Sequence, residues 1–440
     1  MARMTSHYSS PRADVVSMGC RLNLAEGEAM KRALSDAGAA DIVIVNTCGV
    51  TNEAARQSRQ TIRKLRRERP QARLFVTGCA AQIDQAAFAA MPEVDAVVGN
   101  ASKLEPQTWA ALASAPRAAE PILMVDDIMS VRTTAPQLMP GYGDRSRAFL
   151  QVQNGCDHRC TFCAIPYGRG NARSAPVKDV IAQARALADA GHDELVLTGV
   201  DITSWGTDLT DRPALGALVS AVLDAVPEVK RLRLSSIDGA ELDDELFDRL
   251  TGDDRLAPHV HLSVQAGDDM ILKRMKRRHS RSDVIGLTAR LRARRPDIAV
   301  GADIIAGFPT ETEEMFRNSL RLIDEAGLNF LHVFPFSPRK GTPAARMPQV
   351  DRAVIKERAR RLRAKGSAAT NRFLASLVGR QFDGVVETGG AARLGNFASV
   401  RLLAPPPSGL TGRLTRIDVV ALETDRGLTG RIAAPRSATE

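Results

Sequence analysis

Six cysteines stand in a chain of 440 residues, and three of them fall within eight positions: Cys156-Asp157-His158-Arg159-Cys160-Thr161-Phe162-Cys163. The spacing is C-x3-C-x2-C. Three thiolates from one loop can hold three corners of a cubane iron–sulfur cluster and leave the fourth iron without a protein ligand. An open iron on a redox cluster is a place for a substrate or cofactor to bind. Zinc is an alternative, with His158 as a fourth ligand. A structural zinc site usually uses paired C-x2-C hooks, and the sequence has no second hook. The remaining alternative is three buried thiols without chemistry.

The other cysteines are Cys20 in Gly19-Cys20-Arg21-Leu22-Asn23, Cys48 in Asn46-Thr47-Cys48-Gly49-Val50, and Cys79 in Val76-Thr77-Gly78-Cys79-Ala80-Ala81-Gln82. Each follows a segment that reads as a strand. In a parallel sheet the carboxyl ends of the strands lie along one edge, so residues far apart in sequence can meet there. The competing reading is three unrelated cysteines in a core, where Cys is common.

The elements that must position these residues fall into blocks. From 12 to 125, short apolar runs at Asp14–Met18, Asp41–Val45, Leu74–Thr77 and Val94–Val98 alternate with helical patterns at Asn23–Gly38 and Asn52–Arg69, the latter stopped before Pro70. This alternation predicts a parallel α/β domain. Residues 126–146 read as a linker. From 147 to 350 the strand-then-helix pattern repeats six times, with strands at Ala148–Gln153, Glu194–Thr198, Arg231–Ser235, His259–Val264, Val300–Ile305 and Leu331–Phe334. Six units are too few for the closed eight-fold barrel, so a partial (β/α)6 barrel is expected, with its active site on the loops after the strands. Cys156 follows the first of them. Residues 351–372 predict one basic connecting helix. Residues 373–435 read as strands at Phe382–Val386, Phe397–Leu403, Gly412–Leu422 and Leu428–Ile432, a small β-barrel of OB type.

Composition narrows the class. Hydrophobic residues make up 44% and charged residues 25%, which excludes a mainly disordered chain and suits about three domains. No apolar run reaches the roughly 18 residues of a membrane helix. The polar stretch Met1–Pro11 has no signal-peptide core. A cytoplasmic protein is expected, and six cysteines are too few for a disulfide scaffold of this length. Sixty Lys and Arg against 51 Asp and Glu give a net charge of +9, a hint of a polyanionic partner.

The motif C-x3-C-x-Phe-Cys after a first barrel strand resembles the radical S-adenosylmethionine superfamily. With Cys20, Cys48 and Cys79 placed after three strands, the chain resembles the methylthiotransferase family over nearly its whole length. The resemblance implies two 4Fe-4S clusters and S-adenosyl-L-methionine as cofactors. Cys156, Cys160 and Cys163 would carry the radical-generating cluster. Cys20, Cys48 and Cys79 would carry the cluster that holds the sulfur to be methylated and transferred. It also implies that the two clusters face each other across the substrate, and that the C-terminal barrel is a TRAM domain that binds RNA. Phe162 would lie near the adenine. Gly199, in Thr198-Gly199-Val200-Asp201, would meet the methionine amine. Ser235 and Gln265 would hydrogen-bond ribose or carboxylate, and Gly307 would close an adenine-contacting turn. Asp303 and Arg339 are polar residues read at strand ends, without an assigned role.

Within the family, Thr47-Cys48-Gly49-Val50-Thr51-Asn52, Ser58-Arg59-Gln60-Thr61-Ile62-Arg63 and Thr198 to Gly206 resemble the branch acting on N6-threonylcarbamoyladenosine at position 37 of tRNA, next to the anticodon. The isopentenyladenosine branch tends to have Arg in place of Thr51. Ala164 departs from the usual aliphatic residue there. The implied partners are a tRNA anticodon loop, a sulfur donor, and an electron donor such as flavodoxin or ferredoxin. Three basic runs fit phosphate contact: Arg56–Arg69, Lys273–Arg278 and the helix carrying Arg352, Lys356, Arg358, Arg360, Arg361, Arg363, Lys365 and Arg372. With few aromatics, Arg planes are left to stack on bases. Other readings are an isopentenyladenosine methylthiotransferase, an enzyme acting on a ribosomal-protein aspartate, and a non-enzymatic iron–sulfur or zinc RNA-binding protein.

Overall fold

Runs such as Ile42-Val43-Ile44-Val45 are apolar on both faces, which suits a strand covered on both sides. In the computed structural model, which describes residues 13–133, 146–424 and 426–434, such runs form a five-stranded parallel sheet. Its strands, Asp14–Ser17, Ile42–Thr47, Arg73–Gly78, Ala96–Val98 and Ile122–Met124, lie in sequence order. Ile44, Phe75 and Val98 are buried with Met30, Leu34 and Trp109. Val45, Val76 and Val97 are buried with Ile62, Phe88 and Met91. The first helix runs Arg21–Asp36, two residues earlier than expected at each end. The second, Asn52–Glu68, starts where the Thr51 hydroxyl accepts a hydrogen bond from the Ala54 amide. The three-residue strand Ile122–Met124 escaped the sequence reading. Of the expected linker, 134–145 lie outside the described residues.

The chain divides into two units. One holds the described residues of Met1–Gln137 with Gly155–Asp157 and Cys163–Asn171. The other holds those of Leu138–Asn154, His158–Phe162 and Ala172–Glu440.

In the second unit the six expected strands are present as Ala148–Gln151, Glu194–Thr198, Arg231–Leu234, His259–Gln265, Ala299–Ala306 and Phe330–Pro335. All run parallel, and each neighbours the next in sequence. The third breaks at Ser235 and resumes as Ser236–Ile237, which pairs with the fourth. Among the described residues the first and sixth strands do not pair, so the barrel is open. Along the fourth strand Val260, Leu262 and Val264 are buried, and His259, His261, Ser263 and Gln265 share the opposite face.

A 24-residue helix, Arg352–Ala375, follows, its start capped by the Asp351 carboxylate. It leads to a closed five-stranded barrel, Gln381–Glu387, Ala391–Leu394, Ser399–Leu402, Gly427–Ile432 and Leu414–Glu423 in spatial order. Four strands were expected. Ala391-Ala392-Arg393-Leu394 was missed because it lacks β-branched residues. Phe397, expected in a strand, has φ 74 and turns the chain instead. Its ring stacks on His259 at 4.6 Å. Asp193 accepts from the Leu414 amide at 2.7 Å, and Arg233 donates to the Gly395 carbonyl, so this small barrel seats on the amino-terminal ends of the larger barrel's strands. No helix among the described residues is long and apolar enough to cross a membrane.

Candidate active site

Cys20, Cys48 and Cys79 follow the ends of the first three strands of the parallel sheet, and the fold brings them together. A Cβ on Gly19 would lie 2.6 Å from the Cys48 sulfur, and one on Gly49 would lie 3.0 Å from the Cys79 backbone. These two glycines let the loops close on each other. Burial pushes the Cys48 thiol up to about 11, and neighbouring Cys79 and Cys20 add to the rise. Cys20 is exposed as a residue, yet protein atoms crowd its sulfur, and its thiol is also raised.

Beside these thiols lies a buried ionic network that the sequence reading missed. The Arg169 guanidinium donates to the Cys79 sulfur at 3.2 Å, to both Glu26 oxygens at 2.6 and 2.9 Å, and to Asn23 Oδ1 at 2.5 Å. The Lys103 ammonium donates to Glu26 at 2.6 Å, and Lys103, Glu26 and Arg169 have side chains no more than 2% exposed. Burial alone would raise the Glu26 carboxyl; Arg169 and Lys103 overcome it and hold it at about 2. Two cations and one carboxylate leave one net positive charge against three thiols. That charge fits a group that draws thiolates, and metal binding releases the protons that burial holds on the thiols.

The C-x3-C-x2-C loop is fixed at several points. Gly155, at φ 73, sits so close to the Asn171 carbonyl that a Cβ would lie 1.8 Å from it. The Cys156 amide donates to the Gly170 carbonyl, and the Ile165 amide to the Cys163 sulfur at 3.4 Å. Thr161 is tied to Met275 through its amide and to the Arg274 carbonyl through its hydroxyl. Arg277, with a side chain 7% exposed, pairs with Asp238 at 2.7 Å and approaches the Cys160 sulfur at 3.7 Å. Each set of three cysteines therefore has one sulfur beside a guanidinium, and hydrogen bonds to sulfur tune cluster potentials. His158 is engaged elsewhere. It meets Asp201 at 3.0 Å and Glu241 at 3.4 Å, and these carboxylates raise its ring to about 10, against the burial that opposes its charge.

The other expected residues are placed as follows. Phe162 meets Phe308 edge to face at 6.4 Å and packs against a cluster holding Ile305 and Phe336. Gly199 has no room for a side chain beside Ile202 and Gln153. The Ser235 hydroxyl is buried and has no hydrogen-bond partner among the described residues. It interrupts the third strand rather than ending it. Gln265 ends the fourth strand at φ 70, a strained conformation that often marks functional sites. Gly307, at φ 73, gives its amide to Glu311, and a Cβ there would meet Ile355 of the long helix at 2.5 Å. Asp303 does not end a strand. It lies inside Ala299–Ala306 and bonds two histidines. Arg339 lies past the sixth strand, where its carbonyl accepts from Thr342.

The basic runs are largely neutralised within the chain. In the long helix Arg358 pairs with Glu311, Arg360 with Glu357, Arg361 with Glu313, and Arg372 with Asp324. Arg277 and Arg278 pair with Asp238 and Glu241. In the helix Asn52–Glu68, Arg56 pairs with Glu53 and Arg66 with Asp95.

Residues 150–323 match the Radical SAM superfamily, and residues 12–99 match Uncharacterized protein family UPF0004. A solved structure, the radical S-adenosylmethionine methyltransferase TsrM from Kitasatospora setae with cobalamin and a [4Fe-4S] cluster bound, superposes with TM-score 0.53 at 16% identity. The match covers 75% of this chain and 77% of that one, and it speaks to fold alone. The threonylcarbamoyladenosine tRNA methylthiotransferase MtaB of Rickettsia prowazekii (strain Madrid E) is 49% identical over 391 residues, which is 89% of this chain and 91% of the relative. The protein of the same name from Bacillus subtilis (strain 168) is 40% identical, over 79% of this chain and 78% of the relative. The chain belongs to the radical S-adenosylmethionine methylthiotransferase family.

Proposed function

We propose that this protein converts N6-threonylcarbamoyladenosine at position 37 of tRNA, in the anticodon loop, to its 2-methylthio derivative. The observation that carries the reading is the second cysteine centre. Cys20, Cys48 and Cys79 meet around Arg169, in a chain that also has the C-x3-C-x2-C loop. The likeness to relatives named for this substrate supports the branch.

In this reading Cys156, Cys160 and Cys163 hold one 4Fe-4S cluster and Cys20, Cys48 and Cys79 the other. When bound, the clusters and S-adenosylmethionine supply hydrogen abstraction, sulfur and methyl. The chain's own residues bind and shield. Phe162 walls the adenine side, packed against Phe308. The free Ser235 hydroxyl and the strained Gln265 take the polar edge of the cofactor. Arg169 and Arg277 each hold one sulfur by a charged donor. The proposed domains are 12–125, 147–350 and 373–435, joined by the linker 126–146 and the helix 351–372. The small closed barrel, of a shape used for single-stranded RNA, is the RNA-binding part. An external electron donor, such as flavodoxin or ferredoxin, completes the set.

The test is mass spectrometry of tRNA nucleosides from a strain lacking the gene. Loss of 2-methylthio-N6-threonylcarbamoyladenosine with accumulation of its precursor is expected. Loss of the isopentenyl form instead moves the substrate. No change in either excludes the tRNA reading.

A further inference from the structure

One cluster of ligating side chains includes none of the six cysteines. His261, Asp303 and His332 stand on the fourth, fifth and sixth barrel strands. Asp303 is directly opposite His332 in register, and His261 is opposite Gly301. All three share one face of adjacent parallel strands, among the stiffest supports a fold offers a site. His261 Nε2 lies 2.8 Å from Asp303 Oδ1, and His332 Nδ1 lies 3.2 Å from the same oxygen. The three ligand atoms lie within 4.8 Å of one another. Donor atoms bound about 2.1 Å from one ion sit roughly 3.0–3.4 Å apart in octahedral or tetrahedral arrangement, close to the separations seen here.

Gly301 is part of the arrangement. A Cβ there would lie 2.4 Å from His261 Nδ1, so the bare backbone lets that ring lie flat with Nε2 aimed at Asp303. The two imidazoles are 4.6 Å apart between centroids and tilted by 36°, converging on the carboxylate. The His332 side chain is 59% exposed, which leaves one side open to incoming groups. Both histidines approach the same carboxylate oxygen, Asp303 Oδ1, so the three ligand atoms converge on one point. A second group of similar composition, His158, Asp238 and Glu241, is no rival, since Arg277 and Arg278 already occupy its carboxylates.

We propose that His261, Asp303 and His332 hold a divalent first-row transition-metal cation of the Zn2+ or Fe2+ kind. Two imidazoles and a carboxylate with open positions suit such ions. The open positions are left for water or for an oxygen-bearing group. The inference stands apart from the reaction proposed above.

The test uses the full chain with both cysteine centres loaded with iron and sulfide. It is equilibrated with Zn2+ and desalted, and bound zinc is counted by elemental analysis. Zinc-edge X-ray absorption on the same sample reads the ligands. One zinc per chain in a nitrogen and oxygen shell, at about 2.0–2.1 Å, is expected. His332→Gln, at the exposed corner, and Asp303→Asn should each weaken binding at least tenfold, with iron content and circular dichroism unchanged. His192→Gln, outside the cluster, should bind as the parent does. No retained zinc, a sulfur shell near 2.3 Å, or binding that survives both substitutions would each overturn the proposal. Should either variant misfold, the ligand shell of the parent protein decides alone.

Discussion

Arg169→Gln removes one partner from a buried network and leaves the other charges in place. Arg169 donates to Cys79, to Asn23 and twice to Glu26. Breaking a buried ion pair from one side costs about 3–5 kcal/mol. Lys103 stays on Glu26, so the lower end applies, about 3 kcal/mol. At 1.36 kcal/mol per tenfold that is about a hundredfold. Amide hydrogen exchange reads it where it acts. Protection in strands Ile42–Thr47 and Arg73–Gly78 should fall about a hundredfold, while the helix Asp269–Met275 of the other unit keeps its protection. Arg169→Lys should recover most of the loss, because it restores the charge without the fork. A fall of less than about threefold in Arg169→Gln would refute the reasoning.

Other consequences can be measured more simply. Glu194 is fully buried among Arg233, Arg231 and Arg147; burial would raise its carboxyl, but the arginines hold it at about 2. A depressed carboxyl gives stability that is present above about pH 4.5 and lost as pH falls toward 2, here about 3 kcal/mol. The fluorescence of Trp205 in a Trp109→Phe background should report this loss in acid unfolding, and Glu194→Gln should flatten it. Gly155→Ala places a Cβ 1.8 Å from the Asn171 carbonyl at a left-handed φ. It should strip iron from the C-x3-C-x2-C centre and leave that of Cys20, Cys48 and Cys79, as read by iron analysis and electron paramagnetic resonance. Replacing Cys20, Cys48 and Cys79 together by Ala should halve the iron content while S-adenosylmethionine cleavage continues. Full retention of iron would remove the second centre from the reading.

Much of this was legible in the sequence because local signals agreed with the fold. Apolar runs such as Ile42–Val45 and Val300–Ile305 mark strands covered on both faces; Cys48 and Cys79 directly follow two such strands, and Cys20 stands three residues past the partly exposed strand Asp14–Ser17. The six barrel strands were found within one or two residues of their observed ends. What was not legible depends on long-range pairing. Arg358 reads as one more cation in a basic helix, and only the fold reveals Glu311 beside it, 47 residues away. Arg169 and Glu26 are 143 residues apart and carry no periodic signal. A faint local trace exists: Arg169 stands between Gly168 and Gly170, and a Cβ on Gly168 would lie 3.3 Å from Cys79. Asp303 stands inside an apolar run with no local sign of its partners, because His261 and His332 come from neighbouring strands.

The dependence of the first unit on Cys163–Asn171 also sets a clock. Glu26 leaves the ribosome long before Arg169, and 143 residues at 5–20 per second take about 7–30 s. Through that interval the sheet edge carrying Cys20, Cys48 and Cys79 lacks its main counter-charge. For the same reason the amino-terminal region is not a transferable cassette. A gene fusion cut in the linker would leave behind the arginine that completes it.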